Sequence, residues 1–389
     1  MTTRIYLDNS ATTPLSNAAK QALLDTIDCY GNPSSLHSAG QEAERLLEKA
    51  REQVLLGLGL RQRQKDGVLV FTGSGTEATA LALVGTAYAK KRREATRILT
   101  TDSEHPSVAR VMDRLAEDGF EIIRIPTKNG VPDKAALEQA LEKPIFLASF
   151  MLVNNETGAI YPVGEIFRTI KAKYPNAITH CDAVQGFMKI PFTPATLSAD
   201  LITVSAHKVH APKGVGALYI DGKLLKAKKI VPLLTGGGQE GGLRSGTENL
   251  LSIVAFGAAV EELRTKKAEL SEQLQTLRAY ADEQLSKLNL RINRPQNGAL
   301  PYIINVTLPD IKSETMLHAL SADGIFVSSG SACSSHSNHP SESLLAFGLT
   351  PHEADCSLRI SLSRYNTESD VDALCASLGK NIERLVKIR

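Results

Sequence analysis

Residues 68–91 read VLVFTGSGTEATALALVGTAYAKK and indicate the architecture of the chain. The short apolar run VLVF predicts a buried strand, the glycines after it predict a turn, and the remainder has a helical pattern. Further short strands follow, with loops or helices between them: RILTT (97–101), EIIRIP (121–126), PIFLASFML (144–152), AITHCD (177–182) and ADLITVS (199–205). This alternation predicts an α/β fold with a largely parallel sheet that helices cover on both faces.

The chain has 389 residues, which is too long for one simple core and favours two domains. The pattern changes near residue 250, where residues 250–290 alternate charged residues and leucines at helical spacing. The first residues look extended, and we expect them to pair with the second domain. We therefore predict a large domain over residues 15–258 and a small domain formed by residues 1–14 and 259–389.

The charge and hydropathy patterns exclude several classes of protein. A net charge of +2 does not favour a nucleic-acid partner, and the basic run at 90–93 is interpreted as a solvated helix end. No apolar stretch approaches the ~20 residues that a membrane span needs. Because the N-terminal residues also lack the layout of a signal peptide, we expect a cytoplasmic protein without membrane contact.

The cysteine pattern argues against a disulfide framework and against a metal site, because the count is odd and no CxxC pair occurs. The five cysteines are Cys29, Cys181, Cys333, Cys356 and Cys375. Cys333 lies in SSGSACSSHSNHP (328–340), a run of small residues. It is either an incidental surface thiol or a reactive thiol, whereas we interpret the other four as structural.

Ligands of such sheets bind beyond the carboxyl ends of the strands, so the residues that follow each strand are candidates. After VLVF, the turn with Gly73 and Gly75 opens a helix whose free N–H groups suit a phosphate. This turn is not a Walker loop, and it lacks the GxGxxG spacing of a nucleotide-binding Rossmann enzyme. His105 follows the second strand, and a single histidine is more often structural.

Two further strand ends carry charged residues. Asp182 ends one strand, and Lys208 follows the next, between His207 and His210. Pyridoxal phosphate needs a lysine for the Schiff base, a carboxylate at the pyridinium nitrogen and a phosphate site. The sequence therefore predicts a pyridoxal-phosphate site, in which the glycine-rich residues 235–249, with Thr247, offer further phosphate donors.

Ten sequence motifs, which occur in a fixed order between residue 5 and about residue 365, resemble those of a known protein family. They are LDNSATTP (7–14), GNPSS (31–35), FTGSGTEA (71–78), SEHPSV (103–108), VNNETG (153–158), HCDAVQG (180–186), SAHKVHAPKG (205–214), GGGQEGGLRSGTEN (236–249), SSGSACSS (328–335) and SLRISLSR (357–364). Together they resemble the cysteine desulfurases of the NifS/IscS type, in the class V aminotransferase family of fold-type I pyridoxal-phosphate enzymes. The resemblance implies a mostly parallel seven-stranded sheet in the large domain and a smaller α+β C-terminal domain.

The resemblance implies a role for each matching residue. Lys208 would be the Schiff-base lysine, His105 a ring-stacking acid/base group and Cys333 the nucleophile. The further cofactor-binding residues would be Asp182 at the ring nitrogen, Gln185 at the ring hydroxyl, and Gly75, Thr76, Ser205 and His207 at the phosphate. Thr247 would reach the phosphate of a neighbouring subunit, which implies a homodimer. Asn155 and Arg359 would hold the substrate carboxylate, with Asn32 in the same pocket.

The implied reaction converts L-cysteine to L-alanine and leaves the sulfur on Cys333 as a persulfide. We expect a lowered pKa for this thiol. His336 and His339 either contribute to that shift or are solvated loop residues, and the second interpretation is favoured. The persulfide would pass to an acceptor protein of iron–sulfur cluster assembly or tRNA thiolation. A loop of Ser, Gly and Ala suits a thiol that must visit both the cleft and an acceptor.

Three alternatives stay open from the residues. Another fold-type I enzyme would be an aminotransferase, which has no use for a loop thiol, or a selenocysteine lyase, which sequence does not distinguish. A non-catalytic scaffold for sulfur-transfer partners would be expected to have lost at least one of these functional residues. A nucleotide-binding Rossmann enzyme ranks lower.

Overall fold

The computed structural model describes residues 4–60, 67–90, 95–330 and 340–385. The strands are β1 (Ile5–Tyr6), β2 (Gly67–Thr72), β3 (Arg97–Thr101), β4 (Glu121–Ile125), β5 (Thr127–Lys128), β6 (Val131–Pro132), β7 (Leu147–Met151), β8 (Ile178–Asp182), β9 (Leu201–Ser205), β10 (Gly216–Asp221), β11 (Arg291–Ile292), β12 (Ile303–Thr307), β13 (Ile325–Phe326) and β14 (Ser357–Ser361). The α-helices are α1 (Asn17–Thr26), α2 (Ser38–Gly57), α3 (Gly75–Tyr88), α4 (Pro106–Glu117), α5 (Lys134–Ala140), α6 (Val163–Lys173), α7 (Pro194–Leu197), α8 (Gly222–Lys226), α9 (Leu250–Thr265), α10 (Lys267–Ser286), α11 (Ser313–Ala322), α12 (Glu342–Phe347), α13 (Pro351–Asp355) and α14 (Glu368–Arg384).

A seven-stranded sheet forms the centre of the larger part of the molecule. Its strand order is β2-β10-β9-β8-β7-β3-β4. The pairs from β9 to β4 are parallel, whereas β10 runs antiparallel to both of its neighbours. The predicted α/β class and the mostly parallel seven-stranded sheet are therefore confirmed.

Apolar side chains cover both faces of this sheet, as the opening residues predict. In β2, Leu69 and Phe71 contribute to one core, which also contains Phe256 of α9. Val70 between them contributes to the opposite core, with Met112 of α4. Because alternate side chains of a strand point to opposite faces, a continuous apolar run is what a doubly covered strand requires.

A second core forms around the antiparallel sheet β11-β12-β14 and includes apolar residues of α10, α11 and α14. The N-terminal strand β1 pairs in parallel with β13, and Leu7 is buried in this core. Helix α9 contacts α1 and α2 and runs through residue 258. The division into residues 15–258 and the remainder stays a prediction.

The fold places six strand ends at one edge of the large sheet. Strands β2, β3, β4, β7, β8 and β9 share one direction, so their carboxyl ends meet there. Among the described residues, no helix is long and apolar enough to span a bilayer.

Candidate active site

A cavity of about 180 Å³ opens at the carboxyl edge of the large sheet. Its wall contains residues at or just after the ends of five of these strands, β2, β3, β7, β8 and β9, together with residues from the N-terminal segment and from β14. The predicted site residues that line it are Gly75, Thr76, His105, Asn155, Asp182, Gln185, Ser205, His207, Lys208 and Arg359. The structure thus brings together most of the residues that the sequence marked separately.

Lys208 stands at the end of a short 3₁₀ turn that follows β9 directly. Its Nζ atom donates hydrogen bonds to the carbonyl oxygens of Ser10, at 2.5 Å, and Ala11, at 2.9 Å. These two contacts hold the amine at the cavity wall. These two carbonyl partners were missed, and their only signal in the sequence was the motif LDNSATTP.

Asp182 is the last residue of β8 and is buried. Burial raises the pKa of its carboxyl group to about 6, although the N–H of Val184 and the charge of Lys208 lower it. The Val184 N–H donates to Oδ1 at 3.0 Å. A buried carboxylate is costly unless it meets a cation, so this position suits a protonated ring nitrogen.

His105 is the N-cap residue of α4. Its Nδ1 atom accepts a hydrogen bond from the main-chain N–H of Ser107 at 3.1 Å and lies 2.8 Å from the Ser107 hydroxyl. Burial lowers the pKa of His105 to about 4, and the charges of Lys208 and Arg359 act in the same direction. The ring is therefore neutral at pH 7, and because Nδ1 is an acceptor, its proton is on Nε2.

The start of α3 forms the predicted phosphate site. The Ser74 hydroxyl caps the helix by accepting from the Glu77 N–H at 3.1 Å, which leaves Gly75 and Thr76 in the cavity wall. N–H groups of a first helical turn have no acceptor within the helix. A Cβ atom at Gly75 would lie 3.1 Å from that of Ser205, so a larger residue would crowd the cavity wall.

His207 completes this side of the cavity. Its Nδ1 atom lies 3.3 Å from the Thr12 hydroxyl. Burial lowers the pKa of His207 to about 4, and the nearby Lys208 lowers it further. His207 is therefore a neutral hydrogen-bonding group at pH 7.

Arg359 of β14 also lines the cavity and is 1% exposed. Its guanidinium donates to Asp8 Oδ1 at 2.8 Å and to the carbonyl oxygen of Asn155 at 3.1 Å. Its Nε atom is buried without a hydrogen-bond partner among the described residues. Arg359 thus keeps a buried N–H donor that meets no acceptor there. Asp8 was not predicted from the sequence.

Two ionisable residues behind the cavity wall, Glu104 and Lys189, were also missed. Glu104 accepts from the Thr101 hydroxyl at 2.7 Å and from the Met151 N–H at 3.0 Å, and burial raises its pKa to about 8. Lys189 donates to Oε1 of Gln185 at 3.2 Å. The only indication of these two residues in the sequence is that Glu104 precedes His105 and that Lys189 stands four positions after Gln185.

Two predicted residues do not line the cavity. Thr247 and Asn32 are exposed, and the Asn32 side chain accepts instead from the Ser34 N–H at 2.9 Å. The thiol Cys333 and its neighbours His336 and His339 lie outside the described residues.

The other four cysteines are free thiols. Cys181 belongs to the buried apolar core of the sheet, away from the face that Asp182 presents to the cavity, as strand alternation requires. Burial raises the pKa of Cys181 well above its ordinary value, and the charge of Asp182 adds to this shift. Such a thiol is unreactive.

The donor set fits pyridoxal phosphate. An amine, a buried carboxylate, the start of a helix and a buried guanidinium surround one cavity, and each matches a different group of the cofactor or of an amino-acid substrate. Because a Cβ atom at Gly75 would lie 3.1 Å from that of Ser205, glycine keeps the wall free of a side chain at the start of this helix.

Comparisons with known proteins cover nearly the whole chain. The family described as Aminotransferase class-V matches residues 5–374. A cysteine desulfurase of Trichormus azollae is 37% identical over 385 residues, which cover 98% of this chain and 93% of that protein. The cysteine desulfurase IscS of Dictyoglomus turgidum is 36% identical over 389 residues, which cover 99% and 96%.

Solved structures show the same similarity. A NifS-like protein superposes with a TM-score of 0.90 at 36% identity and covers 98% of this chain and 100% of its own. A NifS-like protein from Rickettsia africae superposes with a TM-score of 0.88 at 31% identity, with coverage of 98% and 100%.

Proposed function

The chain belongs to the class-V aminotransferase family and, within it, to the cysteine desulfurases, and from this premise we propose how the residues of the cavity carry out the reaction. The enzyme uses pyridoxal 5'-phosphate and converts L-cysteine to L-alanine with transfer of the sulfur. The observation that supports the residue roles best is the position of Lys208 and Asp182 on neighbouring strand ends of one cavity.

Seven residues would hold the cofactor. Lys208 would bind its aldehyde carbon, Asp182 its ring nitrogen and Gln185 its ring hydroxyl. The phosphate would meet the remaining four residues: Gly75, Thr76, Ser205 and His207. When bound, the cofactor withdraws electrons from the substrate Cα.

The remaining groups of the cavity would handle the substrate. Arg359 would bind the carboxylate of L-cysteine, with Asn155 beside it, because a guanidinium fork matches two carboxylate oxygens. The Lys208 amine would remove and return the Cα proton. His105, with Nδ1 held by Ser107, would donate a proton from Nε2.

Cys333 would receive the sulfur. Its thiolate would attack the sulfur of the bound cysteine, so that a sulfur–sulfur bond forms as the carbon–sulfur bond breaks. The balance is L-cysteine plus the Cys333 thiol to L-alanine plus the Cys333 persulfide. The persulfide would pass to an acceptor protein of iron–sulfur cluster assembly or tRNA thiolation, in the cytoplasm, where thiols stay reduced.

A homodimer explains the two residues that do not line the cavity. Asn32 lies between Tyr30 and Leu36, each 92% exposed, and Thr247 is two residues after Ser245, whose N–H donates to the carbonyl oxygen of the exposed Leu234 at 3.0 Å. Exposed apolar side chains beside an expected ligand-binding residue favour a surface that another copy covers. Thr247 of one copy would then reach the phosphate site of the other.

The test is a product assay on the wild type and on Cys333→Ala. The wild-type protein, supplied with pyridoxal phosphate, L-cysteine and a thiol reductant, should form alanine and sulfide in equal amounts. Cys333→Ala should still change the absorption spectrum when cysteine is added but should release no sulfide. Sulfide release by Cys333→Ala at the wild-type rate would exclude Cys333 as the sulfur carrier.

A further inference from the structure

Lys189 is a partly buried amine directly behind the cavity wall. Its Nζ atom donates to Oε1 of Gln185 at 3.2 Å and lies 5.5 Å from the centre of the Tyr302 ring. Burial lowers the pKa of Lys189 to about 7, and the charges of Lys208 and Arg359 add to this effect. A lysine amine keeps N–H donors in both protonation states, so this contact is maintained on either side of that pKa.

The amide of Gln185 is held from two sides. Its Nε2 atom donates to the carbonyl oxygen of Ser10 at 3.0 Å, while Oε1 faces Lys189. The same Ser10 oxygen accepts from Lys208. One hydrogen-bonded chain therefore links the two lysines, and it leaves the second N–H of Gln185 available to a group in the cavity.

The backbone before Lys189 adopts a conformation that is rare for its residue type. Met188 has φ +61°, in the left-handed region that side chains other than glycine seldom adopt. The chain therefore turns sharply at the residue before Lys189, whose amine is held between Gln185 and Tyr302. Such backbone conformations persist where the surrounding structure holds them in place.

We propose that Lys189 is a positioning residue that orients the Gln185 amide so that its NH₂ group faces the cofactor ring hydroxyl. This inference rests on the proposed role of Gln185 at the cofactor. Without Lys189, Oε1 loses its donor, and Ser10 is then the one hydrogen-bond partner of the amide within the described part of the chain. The bound cofactor would then lose part of one hydrogen bond.

The experiment titrates apoprotein with pyridoxal phosphate and records both the dissociation constant and the absorption maximum of the bound cofactor. Lys189→Met keeps the unbranched side chain and removes the donor. It should raise the dissociation constant roughly fivefold, the effect of about one hydrogen bond, and shift the absorption maximum. Lys189→Arg, which keeps donors, should restore most of the wild-type affinity.

Lys173→Met is the matched control, because Lys173 also lies over a tyrosine ring, at 5.9 Å from the centre of Tyr174, but at the surface. It should leave both quantities unchanged. If Lys189→Met does not fold, Lys189→Gln serves instead, since its side chain is too short to maintain the contact and should give the same shift. Unchanged affinity and spectrum in the folded variant would overturn the inference.

A double variant tests whether Lys189 acts on the cofactor through the orientation of Gln185 or directly. In Gln185→Ala, the further change Lys189→Met should alter neither the affinity nor the spectrum, because the residue to be oriented is absent. An equal effect in both backgrounds would contradict the inference. Failure of the wild-type apoprotein to take up pyridoxal phosphate would instead contradict the proposed function itself.

Discussion

The wall of the cavity and the layer behind it both contain an amine and a carboxyl group. Lys208 and Asp182 line the cavity, whereas Lys189 and Glu104 are in contact with residues of the wall but do not line it. Burial shifts the pKa of Asp182 to about 6, of Glu104 to about 8 and of Lys189 to about 7. A perturbed pKa therefore does not by itself identify the reacting groups here. Access to the cavity distinguishes the two layers.

The two lysines should differ most. Lys208→Ala should lower the rate of alanine formation by roughly 10²–10⁴-fold or more, because it removes both the cofactor link and the proton-transfer group. Lys189→Met should leave most of that rate intact at saturating cofactor. The measurement is alanine formation from L-cysteine by the two purified variants, each checked for folding. An equal loss of the alanine-formation rate in both variants would contradict the distinction between residues that line the cavity and residues behind its wall.

Asp182→Asn should have the next largest effect. It should lower alanine formation by about 100-fold or more, since a neutral amide does not hold a protonated ring nitrogen. The stability of the apoprotein should change in the opposite direction, so that the variant is the more stable protein at pH 7. The folded pKa of Asp182, about 6, exceeds its ordinary value of 3.8, so the protonated form stabilises the fold at low pH, and that stability is lost as pH rises through 6.

Removing this buried charge should therefore stabilise the apoprotein at pH 7, by up to roughly 3 kcal/mol. Thermal unfolding of the wild-type and variant apoproteins between pH 4 and pH 7 tests the sign. The wild type should lose stability relative to the variant across that range. A parallel pH dependence of the two proteins would show that Asp182 is already compensated in the apoprotein.

Glu104→Gln should have the smallest effect on activity. With a pKa of about 8, Glu104 is mostly protonated at pH 7, so a neutral amide of the same shape replaces a neutral acid. Alanine formation at pH 7 should change less than about tenfold. Because the folded pKa of about 8 lies above the ordinary value of 4.5, the wild-type apoprotein should lose stability relative to the variant as pH rises from 4.5 to about 8. A loss of activity as large as that of Asp182→Asn would place Glu104 in the reaction.

The sequence predicted the sheet and the wall for one physical reason. Parallel strands bring their carboxyl ends together, so Asp182 and Lys208, each at or just after a strand end, were expected at one edge. The supporting contacts were not predictable in this way. Ser10 contacts Lys208, which is 198 positions away in the chain, and Asp8 contacts Arg359, which is 351 positions away. A local sequence pattern does not predict contacts between such distant residues.

The prediction was incomplete in one further respect. Thr247 and Asn32 were assigned to the site by resemblance, and the structure of one chain leaves both at the surface. If the site includes them, a second copy of the chain must supply one or both. No pattern within the sequence of one chain indicates such a contribution from a second copy. Cys333, the third residue assigned to the site without a place in the cavity wall, lies outside the described residues.

The most direct test identifies the lysine that holds the cofactor. Protein loaded with pyridoxal phosphate is treated with borohydride, which reduces the carbon–nitrogen double bond between cofactor and lysine to a stable amine, and its peptides are analysed by mass spectrometry. The added mass should appear on the peptide that contains Lys208 and not on the one that contains Lys189. A label on Lys189, or none in protein that has bound the cofactor, would contradict the assignment of the cavity as the active site.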